Sequence, residues 1–466
     1  MKSERKISGI EFYALAFGLF LAVAIWKFGN PVILDNKITP PNSASEFWSD
    51  AWPTHWANWI LLPLALAGAA IAFSKKPRWP GTKWLWLPPL LWFGWQLFSA
   101  TKTVDATLTA TTLWQFFGCA ACYFLGALLL GNQRALNFLL VGILCAFTFC
   151  LVRAVEQRLF EFPQSRQMLV EGEHAGWTNI PSEIFAEMKR DNSIVTTNGM
   201  DVANPVILAK LAKGRVNGTL VYPNALAGAI LLLLPISLVL AFNSAKRLRP
   251  VIRAIVIVLA LFLGLAGFFW TGSKLGWLIA IALGGASLFR LKWPLRLKWA
   301  ALIFILSAGL GIFVVRFHDY FAAGATSAGA RFDYWRAAVQ TTAKNPLIGT
   351  GPGTFQRPYA KIKSPESEMA RLTHNDYLEQ FSDSGIPGGI FYAAWIFLAL
   401  ATIALRVWPS GNQITFAIFI GLLGWFMQGI GEFGLYIPAL AWTTFTLLGC
   451  LLGLSGNQMD KPTAAN

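Results

Sequence analysis

Charge is scarce in this chain. Of 466 residues, 13% are Asp, Glu, Lys or Arg and 55% are hydrophobic, and the mean hydropathy is +0.51. A soluble globule carries about 25% charged residues, so a soluble domain is excluded and a membrane protein indicated. Histidine is scarcer still, with only four: His55, His174, His318 and His374. The five cysteines, Cys119, Cys122, Cys145, Cys150 and Cys450, all fall inside apolar stretches, and the connecting segments have none. That argues against a disulfide framework. Cys119 and Cys122 have the CxxC spacing, but no second pair accompanies them in "FFGCAACYFLG"; helix packing by small residues explains them better. There is no P-loop and no Rossmann fingerprint. No His/Asp/Glu cluster has metal-ligand spacing, so the expected chemistry needs no metal and no cofactor.

What the chain has in abundance is apolar runs of roughly 17–22 residues, each long enough to cross a bilayer core. They predict an all-α polytopic membrane protein with about twelve transmembrane helices. The stretches are 10–28, 56–73, 84–99, 109–130, 135–152, 222–242, 251–270, 275–289, 299–315, 386–405, 414–430 and 436–454. The third and eighth are short enough to be re-entrant. The first lacks a small-residue cleavage site behind it and reads as an anchor.

Net charge of +15 would suit a nucleic-acid surface, but its placement speaks for topology. Eighteen of the 38 lysines and arginines fall in the short segments on one side: Lys2, Arg5, Lys6, Lys75, Lys76, Arg78, Lys83, Arg134, Lys246, Arg247, Arg249, Arg253, Arg290, Lys292, Arg296, Lys298, Arg406 and Lys461. The short opposite segments hold Lys27, Lys37, Lys102 and Lys274. By the positive-inside bias, both termini are expected in the cytoplasm and the long loops outside it, with no nucleic-acid partner. The expected division is N-terminal spans 1–152, a loop 153–221, central spans 222–315, a large loop 316–385 with the chemistry, and C-terminal spans 386–466. A first loop, 29–55, is rich in Pro, Asn, Ser and Trp and reads as partly flexible.

In the large loop, "SAGARFDYWRAAVQTTAKNPLIG" reads as a helix with Ser327 as its cap and Asn345-Pro346 as its stop. Phe332, Trp335 and Val339 form one stripe, with Arg331 and Arg336 beside it. "GTGPGTF" (349–355) has the glycines of a phosphate loop, but Pro352 interrupts it and no strand precedes it, so a tight turn is favoured. In "THNDYLEQFSDSGIPGG", Thr373 can cap a short helix starting at His374. His374 and Leu378 then share one face, and Asn375 and Glu379 the next.

These residues resemble the O-antigen ligase/polymerase superfamily of bacterial envelope glycosyltransferases. The ordered set is "GRVNGTLVYPNALAGAILLLLP", "TGSKLGW", "RFDYWRAAVQTTAKNPLIGTGPGTF", "THNDYLEQFSDSGIPGG" and "GEFGLYIPALAWTTFTLLGCLLG", covering about the last 250 residues. The resemblance implies a GT-C-like bundle in the bacterial inner membrane with periplasmic loops. It implies inverting transfer of a glycan from a polyprenyl-diphosphate carrier to a hydroxyl of lipid A–core, another glycan or a protein. A lipid-borne, already activated donor needs no nucleotide, in keeping with the missing cytoplasmic domain.

A diphosphate leaving group calls for cations at headgroup depth, where arginine binds phosphate oxygens bidentately. Arg215 is the first candidate, set between Gly214 and Gly218; a snorkelling interfacial arginine is its bland alternative. Lys274 stands where the resemblance leads one to expect arginine, so the charge is kept and the fork lost. Arg331 reaches either the phosphates or solvent. His374 either accepts the proton of the attacking hydroxyl, hydrogen-bonds the diphosphate, or merely caps a helix. Asp376 and Glu379 are the next candidates as base or as orienter of the imidazole, and Asn375 and Glu432 are placed one layer further out. A transporter or flippase of lipid-linked sugars is the rival class. The lack of an internal repeat and of mid-span polar residues weighs against it.

Overall fold

The computed structural model describes residues 7–74, 83–246, 248–322 and 326–457. Of the cations assigned above to short segments, Lys2, Arg5, Lys6, Lys75, Lys76, Arg78, Arg247 and Lys461 lie outside the described residues. The chain is an all-α polytopic membrane protein. Among the described residues eight helices are long and apolar enough to cross a membrane, and three apolar helices of 10–17 residues accompany them. Each of the twelve anticipated stretches falls largely on a helix.

The first half comprises α1 (Gly9–Lys27), α2 (Ala44–Ser49), α3 (Thr54–Ser74), α4 (Leu87–Ala100), α5 (Ala106–Leu125) and α6 (Gln133–Glu156). After α6 come α7 (Phe162–His174), α8 (Ser182–Arg190) and α9 (Pro205–Lys213), then α10 (Pro223–Ala245), α11 (Pro250–Thr271), α12 (Lys274–Leu288) and α13 (Leu295–Ala322). The chain continues with α14 (Thr326–Lys344), α15 (Gln356–Ile362), α16 (Asp376–Val407), α17 (Gln413–Gln428) and α18 (Pro438–Asn457). The short α4 has 14 residues and α12 has 15.

Local chemistry explains the starts. Ser8 and Glu11 form a capping box on α1, and the side chains of Asp105, Asn132, Ser273 and Asn412 cap α5, α6, α12 and α17. Each supplies an acceptor to an amide left unpaired by the first turn. Helix α18 is buried all round, from Ala439 to Leu452, and packs against α1, α5, α10, α16 and α17. A helix apolar on every face belongs in such a centre. By contrast α11 and α13 expose Leu259, Phe262, Ile303 and Phe304 along their length; these rings and chains face lipid. Helices α1 and α6 cross closely at Gly18, where a Cβ would stand 2.5 Å from the Leu139 carbonyl oxygen, so a small residue is required there.

The long connections gather at one end of the bundle. The Val221 amide donates to the Gly29 carbonyl at 3.1 Å, and Gln157 receives the amides of Asn217 and Gly218. The 29–55 loop, read as partly flexible, is folded. The Lys27 ammonium, wholly buried, donates to the carbonyls of Trp48 (2.7 Å) and Asp50 (3.0 Å), and the Asp35 carboxylate accepts from the hydroxyl of Thr54. The second loop, 153–221, holds helices α7, α8 and α9. It also carries an antiparallel hairpin, β1 (Ile194–Thr197) and β2 (Met200–Ala203). Asn198 and Gly199 both take positive φ, 53° and 79°, the backbone of the Asn-Gly hairpin turn.

Two expectations for the large loop need correction. Helix α14 begins at Thr326, so Ser327 does not cap it; its hydroxyl pairs with that of Tyr320 at 2.8 Å. The stripe at Phe332 and Val339 is exposed, and the buried face is Tyr334, Ala337 and Ala338, packed on Phe355 and Tyr359. Helix α16 starts at Asp376, with Asn375 as its cap through two bonds from the amides of Tyr377 and Leu378. Thr373 cannot serve, because its hydroxyl is engaged with the Asn375 carbonyl and the Glu379 carboxylate. His374 therefore lies outside the helix and shares no helical face with Leu378. The "GTGPGTF" segment is a turn clamped to α16, with the amides of Gly351 and Gly353 bonded to the carbonyl and carboxylate of Asp383. Beside it α16 breaks at Gly385, where φ is 70° and ψ −178° and a Cβ would lie 2.3 Å from the Leu347 carbonyl oxygen.

Candidate functional site

Four separate parts of the chain meet at the Glu432 carboxylate, which sits in the turn between α17 and α18. Asn224, in the first turn of α10, donates from Nδ2 to Oε1 at 2.7 Å, and Tyr222, just before it, donates its hydroxyl to Oε2 at 2.7 Å. Arg331 reaches from α14 and places Nη2 2.5 Å from Oε1. His374 stands with Nδ1 3.6 Å from Oε2, within ion-pair reach and beyond a hydrogen bond. The Glu432 side chain is 6% exposed, so its charge is held by these partners and not by water. Burial alone would raise this carboxyl, but His374, Arg331 and Tyr222 outweigh it and hold the group below its ordinary value of 4.5.

Asn224 also carries the link to the next cation. Its Oδ1 accepts from Arg215 Nη2 at 2.7 Å, while Arg215 Nε donates to the Thr271 carbonyl at 2.6 Å. Thr271 ends α11, where Gly272 turns the chain with φ 58°, and Ser273 then caps α12 at Lys274. The turn that leads into Lys274 thus also anchors the Arg215 guanidinium. Burial pulls the Arg215 guanidinium below its ordinary value, against the opposing pull of Glu432; an arginine stays charged regardless. The Lys274 ammonium lies 3.6 Å from the Tyr320 ring centroid and 5.3 Å from that of Phe317. Its charge feels Arg215, Arg331, Arg316 and Lys213. The result is one carboxylate against a group of cations at one end of the bundle.

His374 is held by its surroundings and not by a helix. Its backbone is left-handed, with φ 52°, a conformation that costs a side-chain-bearing residue something and is found at functional sites. The ring stacks on Tyr334 at 5.9 Å and meets Phe433 edge-on at 4.7 Å. Nδ1 is buried with no hydrogen-bond partner, yet the side chain keeps 29% exposure. The exposed part of the ring is therefore the part away from Glu432.

The remaining candidates are placed elsewhere. The Asp376 carboxylate accepts from the Leu435 amide at 3.2 Å, and its own amide donates to the Gly429 carbonyl. Glu379 Oε2 accepts from both the amide and hydroxyl of Thr373, at 2.7 and 2.8 Å. Both acids are buried and hold backbone around His374, and no bond to the imidazole accompanies them. Asn375 caps α16. Arg215, Arg331, His374 and Glu432 are brought together, with Lys274 adjoining. Tyr222 and Asn224 complete the carboxylate's shell, and sequence reasoning passed over both. The quoted "VYPN" contained the available signal: two hydrogen-bonding side chains at a span entrance, nine and fewer residues from Arg215. No group of three or more His, Cys, Asp or Glu side chains able to hold a metal occurs among the described residues.

A family model described as O-antigen ligase matches residues 259–393. That segment runs from α11 into α16 and includes Lys274, Arg331, His374, Asn375, Asp376 and Glu379; Arg215, Tyr222, Asn224 and Glu432 lie outside it. No curated protein matches the chain.

Proposed function

We propose, from the match of residues 259–393 to a family model described as O-antigen ligase, that this protein transfers a glycan from a polyprenyl-diphosphate carrier to an acceptor hydroxyl at the periplasmic face of the bacterial inner membrane. The family acts by ligase- or polymerase-type glycan transfer on a lipid-linked glycan. The acceptor class proposed here is a hydroxyl of lipid A–core, a growing glycan or a protein. The observation carrying this reading is the meeting of Arg331, His374 and, through Asn224, Arg215 on one buried carboxylate, Glu432.

In this proposal Arg215, Lys274 and Arg331 bind the diphosphate. Each charge-assisted hydrogen bond contributes about 1.5–3 kcal/mol, and more in the transition state as charge develops on the leaving oxygen. The acceptor hydroxyl approaches the exposed edge of His374. Its oxygen attacks the anomeric carbon opposite the carrier, the bond from that carbon to the diphosphate oxygen breaks with its electron pair going to diphosphate, and the hydroxyl proton passes to Nε2. Configuration inverts. Glu432 faces Nδ1, fixes the tautomer with the proton there and stabilises the imidazolium; closing the 3.6 Å gap brings the pair to hydrogen-bond distance. Asp376 and Glu379 position the His374 turn.

The test is incubation of purified protein with a polyprenyl-diphosphate oligosaccharide and lipid A–core, glycan and protein acceptors, without nucleotide or metal. The informative variant is His374→Asn, because asparagine accepts the left-handed backbone while removing the imidazole. It is expected to fold as the parent and to lose transfer by about 10²–10⁴-fold. Undiminished transfer by that variant and by Arg215→Gln would exclude this site.

A further inference from the structure

At the other end of the bundle, α10, α11, α12 and α17 enclose a cavity of about 770 Å3. Its apolar wall includes Leu238, Phe242, Leu261 and Phe416, and Arg290 and Lys292 stand at its rim. A second, apolar pocket of about 300 Å3 adjoins it, sharing Leu238 and Ser287. Along α10, Leu238 and Phe242 of this cavity lie 14 and 18 residues beyond Asn224, about 21–27 Å at about 1.5 Å each. It is therefore not part of the Glu432 site.

The cations around it have no carboxylate to answer them. Arg290 lies with its guanidinium 4.1 Å from the Phe416 ring centroid and donates to the carbonyls of Ser410 and Asn412. Lys246 and Arg253 lie over the Phe242 ring at 4.9 and 5.1 Å. None of Arg290, Lys292, Lys246 and Arg253 has an ion-pair partner among the described residues. The sequence shows why: no Asp or Glu occurs from Val202 to His318 or from Ser384 to Gly431, the segments that build these helices. Arg290 and Lys292 line this apolar chamber, and Lys246 and Arg253 lie over the ring of Phe242 in its wall; its complement is an amphiphile with an anionic head.

We propose that this cavity binds an anionic phospholipid of the leaflet opposite the Glu432 site, with its phosphate against Arg290 and Lys292 and an acyl chain seated along Leu238 and Phe242. A chamber of this size suits one chain, since small-molecule sites commonly run from roughly 300 to 1,000 Å3. The bound lipid ties the turn between α16 and α17 to α10 and α12. Each basic group near an anionic head contributes about 1 kcal/mol, which corresponds to about fivefold in affinity.

The test uses the full-length protein in a neutral detergent, titrated with phosphatidylglycerol, phosphatidylcholine, glycerol phosphate and inorganic phosphate. Bound lipid is counted by native mass spectrometry, and the unfolding temperature is followed in parallel. Phosphatidylglycerol is expected to bind and raise the unfolding temperature. Phosphatidylcholine is expected to do so weakly, and the two soluble phosphates not at all. Lys292→Gln is expected to weaken phosphatidylglycerol binding about fivefold. Leu238→Trp, which narrows the acyl path and leaves every cation, is expected to weaken it. Arg290 is left in place, because its bonds to the turn make it structural as well. Equal binding of phosphatidylcholine, competition by inorganic phosphate, or phosphatidylglycerol affinity that survives both variants overturns the proposal. So does loss of the lipid in Arg215→Gln alone, which would put it at the other end.

Discussion

Removing the charge of Glu432 is the most searching perturbation of the Glu432 site. Glu432→Gln keeps the shape of the side chain but presents an amide NH2 where two donors, Asn224 Nδ2 and Tyr222 Oη, now point at carboxylate oxygens from 2.7 Å. It also strips Arg331 of its partner at 2.5 Å, and Arg331 Nε is already buried without a hydrogen bond. Breaking a buried ion pair from one side costs about 3–5 kcal/mol. Arg331 keeps 22% side-chain exposure, so water screens part of the loss and the lower end, about 3 kcal/mol, is expected. The assay is reversible unfolding in detergent of the parent, Glu432→Gln, Arg331→Gln and the double variant. A coupling energy of at least about 1 kcal/mol is expected, as for residues in direct contact; the double variant should be more stable than the sum of the singles implies. Strict additivity would refute the idea that this pair organises the site. In the transfer assay the same variant is expected to lower kcat by about 10²-fold, the low end of acid–base contributions, with a smaller change in KM for the donor. A change confined to KM would show that Glu432 only shapes the binding of diphosphate.

Other outcomes follow from the same geometry. The Glu432 carboxyl is held below its ordinary 4.5 in the folded protein, so the unfolded chain binds its proton at higher pH. Its stabilisation is complete above that value and lost as pH falls through the lower folded one. The stability gap between parent and Glu432→Gln should therefore be flat at neutral pH and close only below about 4.5. Lys274→Arg keeps the charge and restores a bidentate fork, and is expected to transfer at least as well as the parent, whereas Lys274→Gln should raise the donor KM. Asn375→Ala removes the cap of α16 and should cost about 1 kcal/mol in unfolding experiments, with kcat reduced through displacement of His374. Gly385→Ala forces a Cβ to within 2.3 Å of a carbonyl oxygen at φ 70°; yield and unfolding temperature should both fall, by more than the 1–3 kcal/mol of backbone strain alone.

The helices were legible because a span is a local property. Some twenty consecutive apolar residues decide it, with a Ser, Asp or Asn cap at the start, and every such stretch became a helix. The hairpin at Asn198-Gly199 was legible too and was passed over for the helical signals around it. The large loop was harder. Its glycine-rich segment 349–355 reads as a turn, but the start of α16 was misplaced by two residues, since Thr373, Asn375 and Glu379 all compete as caps. Only the finished packing shows the Thr373 hydroxyl already committed to Glu379.

By itself the sequence determined the class of protein, its number of apolar segments and the residue types from which a diphosphate-handling site can be made. It also placed Arg215 and Lys274 at the entrances of spans and Arg331 and His374 in the large loop, through the high cost of a charge within lipid. Tertiary structure alone decided which acid meets them. Glu432 is 101 residues from Arg331 and 208 from Asn224, separations at which no periodicity carries information. Asp376 and Glu379, the nearer acids in sequence, are turned into the bundle by the helix that His374 precedes, where backbone amides take their oxygens. Proximity along the chain pointed to Asp376 and Glu379, whereas Glu432 is the acid that lies against His374 and Arg331, because α16 points its first turn inward while the turn after α17 returns to the same end of the bundle.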